Sequence, residues 1–402
     1  MAIGLRAGPR RLGAVIEQRF HPVVTVDLSA IAENTRRLAA RTGAALMAVV
    51  KADGFGHGAA AVARTALAHG ADRLGVAIVE EALALRGAGL TAPVLSWLNA
   101  PHADLTLAIA ADVEIAVPSE EHLRAAPSAA LASAAPARIH LHADVGMARD
   151  GAAPAAWERL CAHAADLERA GRIRVVGVMG HLGCADLPDD PHTPQARRRF
   201  AQAAATAERH GLRPLHRHLA ATAGLLTDPG THHDLVRVGA GLYGIDPTAT
   251  PTVPGPAGLR WAMTLTAPVV SVRDVPAGTP VGYGHTFTTT RRTRLALLPL
   301  GYADGLPRLA SGRAEVLLRG GRHPVAGRIS MDQMVVDVGT AEVRPGDVAT
   351  ILGPGDADEP TPADWAPATT GPPTMPMPTI PTARQPAGTP PTDPPPCPTR
   401  GA

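Results

Sequence analysis

Short apolar runs alternate with longer segments of helical periodicity through the first part of the chain. Runs of this kind are typical of buried parallel strands, and the segments between them carry the residue spacing of helices. The predicted strands lie near residues 45–50, 74–79, 93–98, 113–117, 137–142, 173–179, 213–219 and 235–238. The predicted helices include Ala59–His69, Glu80–Gly87, Glu120–Ala126, Ala155–Ala170 and Ala196–His210. Eight strands with intervening helices predict a (β/α)8 TIM-type barrel, which we assign to residues 21–247.

The pattern changes after Pro247. Residues 248–257 are rich in Thr, Pro and Gly and are expected to form a linker. Beyond them, β-branched runs separated by turns predict a mainly β domain over residues 258–370. Its predicted strands are Met263–Val272, Arg294–Pro299, Arg313–Leu318, Gln333–Val338 and Asp347–Leu352. The predicted fold class is therefore α/β, with a TIM-type barrel followed by a mainly β C-terminal domain.

The remaining segments are the two ends of the chain and the stretch before the first barrel strand. Residues 1–20 are expected to form a loose leader, and the alternating stretch Val23–Asp27 predicts a strand that packs with the β domain. Ser29 is predicted to cap a helix over Ala30–Arg41. Residues 371–402 contain 12 prolines in 32 positions, and proline blocks both helix interiors and sheet ladders, so we expect a disordered Pro-rich tail.

Composition narrows the function classes. The net charge of +2 predicts no nucleic-acid partner and no attachment to a membrane surface, and no apolar stretch is long enough to span a bilayer. The cysteines Cys161, Cys184 and Cys397 form no CxxC motif and no disulfide framework, which favours a reducing compartment and a cytoplasmic location. The sequence predicts no metal site.

Lys51 is the single lysine among the 38 Lys and Arg residues. It ends the apolar run Leu46–Val50 and is followed by three glycines, Gly54, Gly56 and Gly58. Reactive groups in α/β barrels are commonly found where a strand passes into a loop. A lysine amine can lose its proton and form a Schiff base, whereas a guanidinium effectively cannot. Lys51 is therefore the leading candidate for a covalent role.

Seven stretches, in order, carry a resemblance to a known family. They are Val49–Gly58, His140–Arg149, Gly180–Asp186, His218–Ala223, Val236–Gly244, Gly301–Arg308 and Gly327–Gln333. Over roughly residues 20–370 the chain resembles the alanine racemases, which are pyridoxal-phosphate enzymes of fold-type III. The resemblance implies interconversion of L- and D-alanine, supply of D-alanine for peptidoglycan, and a homodimer with shared active sites.

The resemblance also implies roles for individual residues. The catalytic pair is Lys51, which holds pyridoxal 5'-phosphate, and Tyr302. The cofactor-binding set is Lys51, Arg149, His181, Thr222, Arg237, Gly239, Ala240 and Tyr243. The substrate-binding set is Arg149 and Met331. In the implied dimer, Lys51 of one chain meets Tyr302 and Met331 of the other.

Racemisation needs a proton removed from one face of Cα and another delivered to the opposite face. The resemblance gives one face to Lys51 and the other to Tyr302. Because the reference pKa of tyrosine is about 10, its anion must be favoured locally, and we expect His181 and Arg237 to supply the positive surroundings. Arg237 is also expected to donate to the pyridine nitrogen without protonating it, which limits side reactions. His57 is expected to order the loop after Lys51, whereas for His218 a structural role remains equally open.

Four features depart from the family pattern. Phe55 stands where a tyrosine usually touches the phosphate, so we expect weaker cofactor binding. His142 replaces a lysine, carbamylated in some members, that orients Arg149, and Ala221 replaces a common asparagine. The fourth departure is the Pro-rich end, which lacks the closing tyrosine of the family and predicts an incomplete β domain, weaker dimerisation and a wider substrate entrance.

Two alternatives to an active alanine racemase follow from these departures. One is a cofactor-binding homologue with impaired or no activity. The other is a racemase of another small amino acid such as serine, because related fold-type III enzymes share the lysine-bearing barrel. The Tyr302 and Met331 stretches favour the alanine enzyme, and the altered C-terminus favours the impaired homologue.

Overall fold

A parallel eight-stranded barrel and a β domain make up the computed structural model of this chain. The structure describes residues 2–5, 21–133, 136–187, 189–248 and 257–369. Most of the predicted linker and all of the predicted tail, residues 371–402, lie outside the described residues. The barrel confirms the predicted fold class.

The first part of the chain runs in the order β1 (Ala2–Leu5), β2 (Val23–Val26), α1 (Leu28–Ala39), β3 (Ala45–Val49), α2 (Lys51–Phe55), α3 (Ala59–Leu67), β4 (Arg73–Val76), α4 (Val79–Gly87), β5 (Val94–Ser96), α5 (Thr106–Ala110), β6 (Val113–Val117), α6 (Glu120–Ser133), β7 (Ala137–His142), α7 (Pro154–Arg169), β8 (Ile173–Met179), α8 (His192–Arg209), β9 (His216–His218), α9 (Thr222–Thr227) and β10 (Leu235–Val238). The eight barrel strands pair in parallel in the order β10-β3-β4-β5-β6-β7-β8-β9. All eight overlap a predicted strand.

The last two strands of the barrel meet without a regular ladder. The gap between β9 and β10 is crossed by two backbone bonds, from Asp234 N to the Arg217 carbonyl and from Arg237 N to the Ala220 carbonyl, each 3.1 Å long. Side chains that point away from the barrel axis, such as Ile139 and Leu141, join a continuous core with the surrounding helices. That core uses the apolar runs from which the strands were predicted.

The second part of the chain is mainly β, as predicted. Its elements are β11 (Met263–Pro268), β12 (Ser271–Val275), β13 (Pro280–Val281), β14 (Phe287–Thr288), β15 (Thr293–Leu298), β16 (Glu315–Leu318), β17 (Gly321–Pro324), β18 (Met334–Gly339), β19 (Val348–Leu352) and α10 (Pro362–Thr369). One sheet has the order β1-β2-β11-β19-β16-β17 and another the order β12-β15-β18. β2 pairs antiparallel with β11, so the strand predicted at Val23–Asp27 packs with this domain as expected.

Two local predictions were wrong. The side chain of Asp27, not that of Ser29, caps α1, because its carboxylate accepts the N–H groups of Ser29 at 2.8 Å and Ala30 at 3.3 Å. The predicted strand Met263–Val272 is two strands in two different sheets. The chain crosses between them at Val269 and Val270, whose N–H groups donate to Asp347 and to Leu297 respectively.

The predicted leader also contributes to the fold, because β1 extends the first sheet by pairing in parallel with β2. The remaining leader residues lie outside the described part. Within the described residues, none of the helices has both the length and the apolar character needed to cross a bilayer.

Candidate active site

Lys51 lies at the carboxyl end of β3, where the backbone passes from an extended strand into a left-handed conformation. The N–H of Val50 still donates to the Gly75 carbonyl at 2.9 Å, so the strand pairing reaches the residue before the lysine. The next four residues, Ala52 to Phe55, all have φ between 52° and 62°, which makes α2 a left-handed turn. Left-handed backbone costs L-residues about 1–2 kcal/mol each, and strain of this kind is concentrated at functional sites.

Side chains brace the turn from both sides. The Glu81 carboxylate, on α4, accepts the N–H of Ala52 at 2.6 Å and the N–H of Ala77 at 2.8 Å. The Asp53 carboxylate accepts the N–H of Ala59 at 2.8 Å, which fixes the start of α3. The exposed side chain of Lys51 therefore projects from an anchored backbone.

His57 holds the end of the turn, as the sequence predicted. Its Nδ1–H donates to the carbonyls of Phe55 at 3.0 Å and Gly54 at 3.1 Å. The ring is fully buried, and burial lowers the pKa of His57 to about 4, so the imidazole is neutral near pH 7.

Arg237, on β10, is buried inside the barrel, and the rest of the polar cluster is built around it. Its Nη1 donates to Nδ1 and to the carbonyl of His218, at 2.7 and 3.0 Å. Its Nη2 donates to the carbonyls of Gly180 and Leu219, at 2.7 and 3.0 Å, and lies 3.3 Å from Nδ1 of His181. These contacts use the four hydrogens on the two terminal nitrogens and leave Nε–H as the donor for another group. Burial lowers the pKa of Arg237 to about 10, so it remains charged near neutrality.

His181 contacts Arg237, but its charge differs from the expectation. Burial, followed by the charges of Arg237, Arg149 and His142, lowers the pKa of His181 to about 3. His181 is therefore neutral near pH 7, and its predicted share in a positive environment for Tyr302 is wrong. Arg237 is the charged member of this contact.

Thr222, at the start of α9, organises a small cradle of backbone amides. Its Oγ1 accepts the N–H groups of Gly239 and Gly241, each at 3.3 Å, and its own O–H is left to donate. A Cβ on Gly241 would lie 2.9 Å from both Leu38 and Thr222, so the close approach requires glycine. Ala240 begins the 3₁₀ turn Ala240–Tyr243 that follows. Because the amides of Gly239 and Gly241 both donate to Thr222, its O–H is the group of this cradle that is left to meet an anion.

Tyr243 ends that turn beside the Lys51 strand. Its hydroxyl donates to the Val49 carbonyl at 3.1 Å, and its ring centroid lies 4.6 Å from that of His57. The hydroxyl proton is thus used within the protein. Burial raises the pKa of Tyr243, which keeps the phenol neutral. The contact ties the Ala240–Tyr243 turn to the strand that carries Lys51.

Arg149 lies in the loop after β7, on which the Asp144 carboxylate accepts three successive N–H groups, those of residues 146–148. The Arg149 side chain is exposed. Beside it, the Asp150 carboxylate lies 3.4 Å from Nδ1 of His142. Burial acts to raise the pKa of Asp150, but the nearby His142 and the N–H of Gly151 outweigh it, so the pKa lies below its ordinary value. The structure thus supplies a carboxylate next to the His142 substitution, a feature that sequence reasoning missed although Asp150 directly follows Arg149.

Tyr302 and Met331 lie together on the β domain. The N–H of Tyr302 donates to the Ser330 carbonyl at 3.0 Å, and that of Ala303 to the Met331 carbonyl at 2.9 Å. A Cβ on Gly301 would lie 2.3 Å from both acceptor oxygens, so glycine permits the approach. The residues are 40% and 54% exposed, and in the described part of the chain neither makes a hydrogen bond to the barrel. One chain therefore presents two separate groups, one around Lys51 and one around Tyr302.

Three side chains that could act as metal ligands lie next to the loop that carries His181. Ligand atoms of Cys184, Asp190 and His192 lie within 4.8 Å of one another. The Asp190 carboxylate accepts the N–H of His192 at the start of α8 and bonds its Nδ1 at 2.7 Å. These bonds give the Asp190 and His192 pair a structural role at the helix start.

Comparisons with known proteins agree with this geometry. The model of the alanine racemase N-terminal domain matches residues 26–247, and that of the C-terminal domain matches residues 262–376. The chain belongs to the alanine racemase family. It is 48% identical over 358 residues to an alanine racemase of Frankia casuarinae, covering 89% of this chain and 93% of the relative. It is 47% identical to that of Thermobifida fusca over 342 residues, covering 85% and 91%.

Solved structures of the family superpose on the fold. The alanine racemase of a D-cycloserine-producing Streptomyces lavendulae gives a TM-score of 0.85 at 44% identity, covering 87% of this chain and 92% of that one. The enzyme of Streptomyces coelicolor A3(2) gives 0.84 at 45% identity, covering 87% and 93%. The family predicted from the seven sequence stretches is confirmed.

Proposed function

We propose that this chain interconverts L- and D-alanine with pyridoxal 5'-phosphate bound in the barrel. The observation that carries the proposal is the convergence of Lys51, Arg237 and Thr222 at the carboxyl ends of their barrel strands, which is where barrel enzymes place their active sites. Membership of the alanine racemase family gives the substrate.

The residues of the barrel suit the cofactor. The amine of Lys51 would hold it covalently, since no other lysine exists in the chain. The free Nε–H of Arg237 suits the ring nitrogen, and the amide of Ala240 with the Thr222 hydroxyl suits the phosphate, beside Gly239, whose N–H donates to Thr222. When bound, the cofactor withdraws electrons from the amino acid and acidifies its Cα–H.

The chain itself moves the protons. One of the two groups, Nζ of Lys51 or Oη of Tyr302, takes the proton from Cα, and the other delivers a proton to the opposite face. Arg149 and Met331 hold the substrate carboxylate, Arg149 by its charge. The positive charges of Arg237 and Arg149 favour the anionic form of Tyr302, which makes it a competent base.

We infer a homodimer whose sites combine the two groups. Tyr302 and Met331 lie side by side on the β domain and are both exposed although they are large, so a second chain can cover them. A second copy that brings its Tyr302 to Lys51 would complete the pair of bases. D-Alanine made in this way would serve cell-wall peptidoglycan, and we place the protein in the cytoplasm.

Reconstitution tests the proposal. Full-length protein loaded with pyridoxal 5'-phosphate should convert L-alanine to D-alanine until the two are equal, and Lys51→Ala should form none. L-Serine at the same concentration tests the alternative substrate. Protein that binds the cofactor but racemises neither amino acid would overturn the proposed activity, and faster turnover of serine would overturn the proposed substrate.

A further inference from the structure

The interior of the barrel is polar along one side. On β7, the alternate residues Arg138, His140 and His142 face the axis, while Ile139 and Leu141 join the outer core. Interiors of such barrels are usually filled by branched aliphatic side chains. Here only part of the interior is apolar, and it is formed by Met47, Leu95, Ala116, Met179 and Leu235. The polar side chains on this side of the barrel interior therefore require a structural or functional explanation.

A chain of hydrogen bonds crosses this polar side from Arg237 to the amino-terminal end of the barrel. Nδ1 of His218 accepts from Arg237 at 2.7 Å. Nε2 of His218 lies 2.9 Å from Nδ1 of His140, and Nε2 of His140 lies 2.9 Å from Oε2 of Glu114. Glu114 is the second residue of β6, near the amino end of that strand, and it ends the chain in an ion pair with Arg73.

The direction of every bond in this chain is fixed by its two ends. A guanidinium only donates and a carboxylate only accepts. Nδ1 of His218 must therefore be unprotonated, so His218 carries its proton on Nε2 and donates it to His140. His140 in turn carries its proton on Nε2 and donates it to Glu114. Both imidazoles are neutral and share one tautomer.

The surroundings maintain these charge states. The exposed fractions of Glu114, His140 and His218 are 1% or less, and that of Arg237 is 5%. Burial lowers the pKa of both histidines. Burial acts to raise the pKa of Glu114, but the hydrogen bond from His140 and the charge and hydrogen bond of Arg73 lower it further, so the carboxylate stays ionised.

The backbone next to these hydrogen-bonded side chains leaves the room that they need. A Cβ on Gly177 of β8 would lie 2.0 Å from Nδ1 of His140, so only glycine leaves room for the ring. On the other side of Glu114, Arg138 bonds Oε1 at 2.5 Å. Both oxygens of the carboxylate are therefore occupied, and its position is set independently of the histidines.

We propose that Glu114 is a positioning residue for the active site and acts on Arg237 through His140 and His218. Because the Glu114 carboxylate can only accept hydrogen bonds, it fixes the tautomers of both histidines. The Nδ1 atom of His218 therefore presents a lone pair to Arg237. This bond keeps Nη1 turned into the barrel wall and leaves Nε–H for the cofactor ring. The inference rests on the proposed role of Arg237 at the cofactor, whereas the tautomers themselves do not depend on it.

An amide at position 114 removes this control. Glutamine can donate as well as accept, so Glu114→Gln permits the reversed direction, in which Nδ1–H of His218 would face a hydrogen of Arg237. The two directions then compete, and Arg237 loses its fixed partner. If Glu114 served only to neutralise Arg73, removing both charges in Glu114→Gln/Arg73→Met would restore the wild-type behaviour, since Arg138 keeps Asp112 as an ion-pair partner.

The experiment uses full-length protein with 15N-labelled histidine. In the wild type, with and without pyridoxal 5'-phosphate, NMR should show the Nε2–H tautomer for both His140 and His218, assigned with His140→Gln and His218→Gln. In the double variant the two signals should shift or split. The kcat of the double variant should fall by about ten-fold relative to the wild type. Its KM should stay within about two-fold of the wild-type value, because Arg237 does not touch the substrate.

Asp234→Asn is the matched control, because Asp234 is also a carboxylate paired with an arginine, Arg217, but lies outside the chain to Arg237. It should leave the histidine signals and kcat unchanged. Circular dichroism and the melting temperature establish that each variant is folded. An Nδ1–H tautomer in the wild type, or a folded double variant with wild-type signals and kcat, would overturn the inference. An inactive wild type with the expected tautomers would count against the proposed function alone.

Discussion

Tyr302 and Met331 are held side by side because the N–H groups of Tyr302 and Ala303 bond to the backbone of Ser330 and Met331. The Ser330 carbonyl accepts from Tyr302 and the Met331 carbonyl accepts from Ala303, over a distance that Gly301 alone permits. A proposed base and a proposed substrate contact therefore move as one unit. This unit lies on the β domain, whereas Lys51 lies on the barrel.

The first prediction concerns the separation of the two bases. Tyr302→Phe removes Oη but keeps the ring, so racemisation should fall by at least about 1,000-fold, a loss of roughly 4 kcal/mol in transition-state stabilisation. Because Lys51 remains, exchange of the α-hydrogen in deuterated solvent should persist with one enantiomer. Mass spectrometry of each enantiomer after incubation measures it. Equal loss of exchange with both enantiomers, with the cofactor still bound, would argue against separate bases.

The second prediction concerns the shared site. Lys51→Ala and Tyr302→Phe should each be inactive alone. In mixed dimers, one of the two sites receives wild-type Lys51 and wild-type Tyr302, so activity should return to about a quarter of the wild type at equal mixing, since half of random dimers are mixed. Chains mixed after unfolding and refolding together provide the sample, and each variant refolded alone is the control. Activity that never returns would show that both bases come from one chain.

The third prediction concerns the single lysine. Borohydride reduction of the loaded protein should place the whole covalent adduct on the peptide that contains Lys51, because no other side-chain lysine amine is present. Lys51→Arg keeps the charge but not the chemistry, so it should carry no adduct. Peptide mass spectrometry reads the result. A stable adduct in Lys51→Arg would remove the covalent role.

The fourth prediction concerns acid stability. The folded-state pKa of His57 is about 4 against an ordinary value of 6.5, so the unfolded chain binds more protons between those values. Stability from this group is therefore present above pH 6.5 and is lost as pH falls toward 4. Between pH 7 and pH 5 the loss is about 2 kcal/mol.

Urea unfolding at the two pH values tests this prediction with two variants. His57→Asn keeps a donor for the carbonyls of the turn but does not titrate, so its loss of stability between pH 7 and pH 5 should be smaller by that amount. His102→Asn, at a largely exposed histidine, should behave as the wild type. The same pH dependence in His57→Asn and the wild type would show that another group is responsible.

The strands of the barrel could be predicted because they are buried on both faces. Leu46 to Val50 form an uninterrupted apolar run, and most of the other barrel strands are mainly apolar, whereas β7 and β9 carry arginine and histidine. The crossing at Val269 and Val270 was missed because Pro268, which stands inside the predicted strand, was not taken as its end, although proline interrupts a sheet ladder. The helix cap was missed by two residues, since Asp27 and Ser29 are both good caps and only the backbone decides between them.

The candidate site was predictable where a motif carried it. Lys51, Arg237 and Tyr302 each stood in a recognisable stretch, and the structure places them on the expected elements. Glu114 and His140 were missed as a pair because their meeting depends on the register of β6 and β7 and on the space left by Gly177. The neutral state of His181 was also missed, because it follows from burial beside two arginines rather than from residue type.

The most direct test of the account is the origin of the new α-hydrogen. Wild-type protein loaded with pyridoxal 5'-phosphate is incubated in deuterated water with L-alanine that carries ordinary hydrogen at Cα. D-Alanine is isolated early in the reaction, and its deuterium content is measured by mass spectrometry. With Lys51 on one face and Tyr302 on the other, the hydrogen removed stays on one base and the other base delivers deuterium, so D-alanine should carry deuterium at Cα from the first turnovers. D-Alanine that retains the original hydrogen would mean that a single group carries the proton across, and would contradict the account.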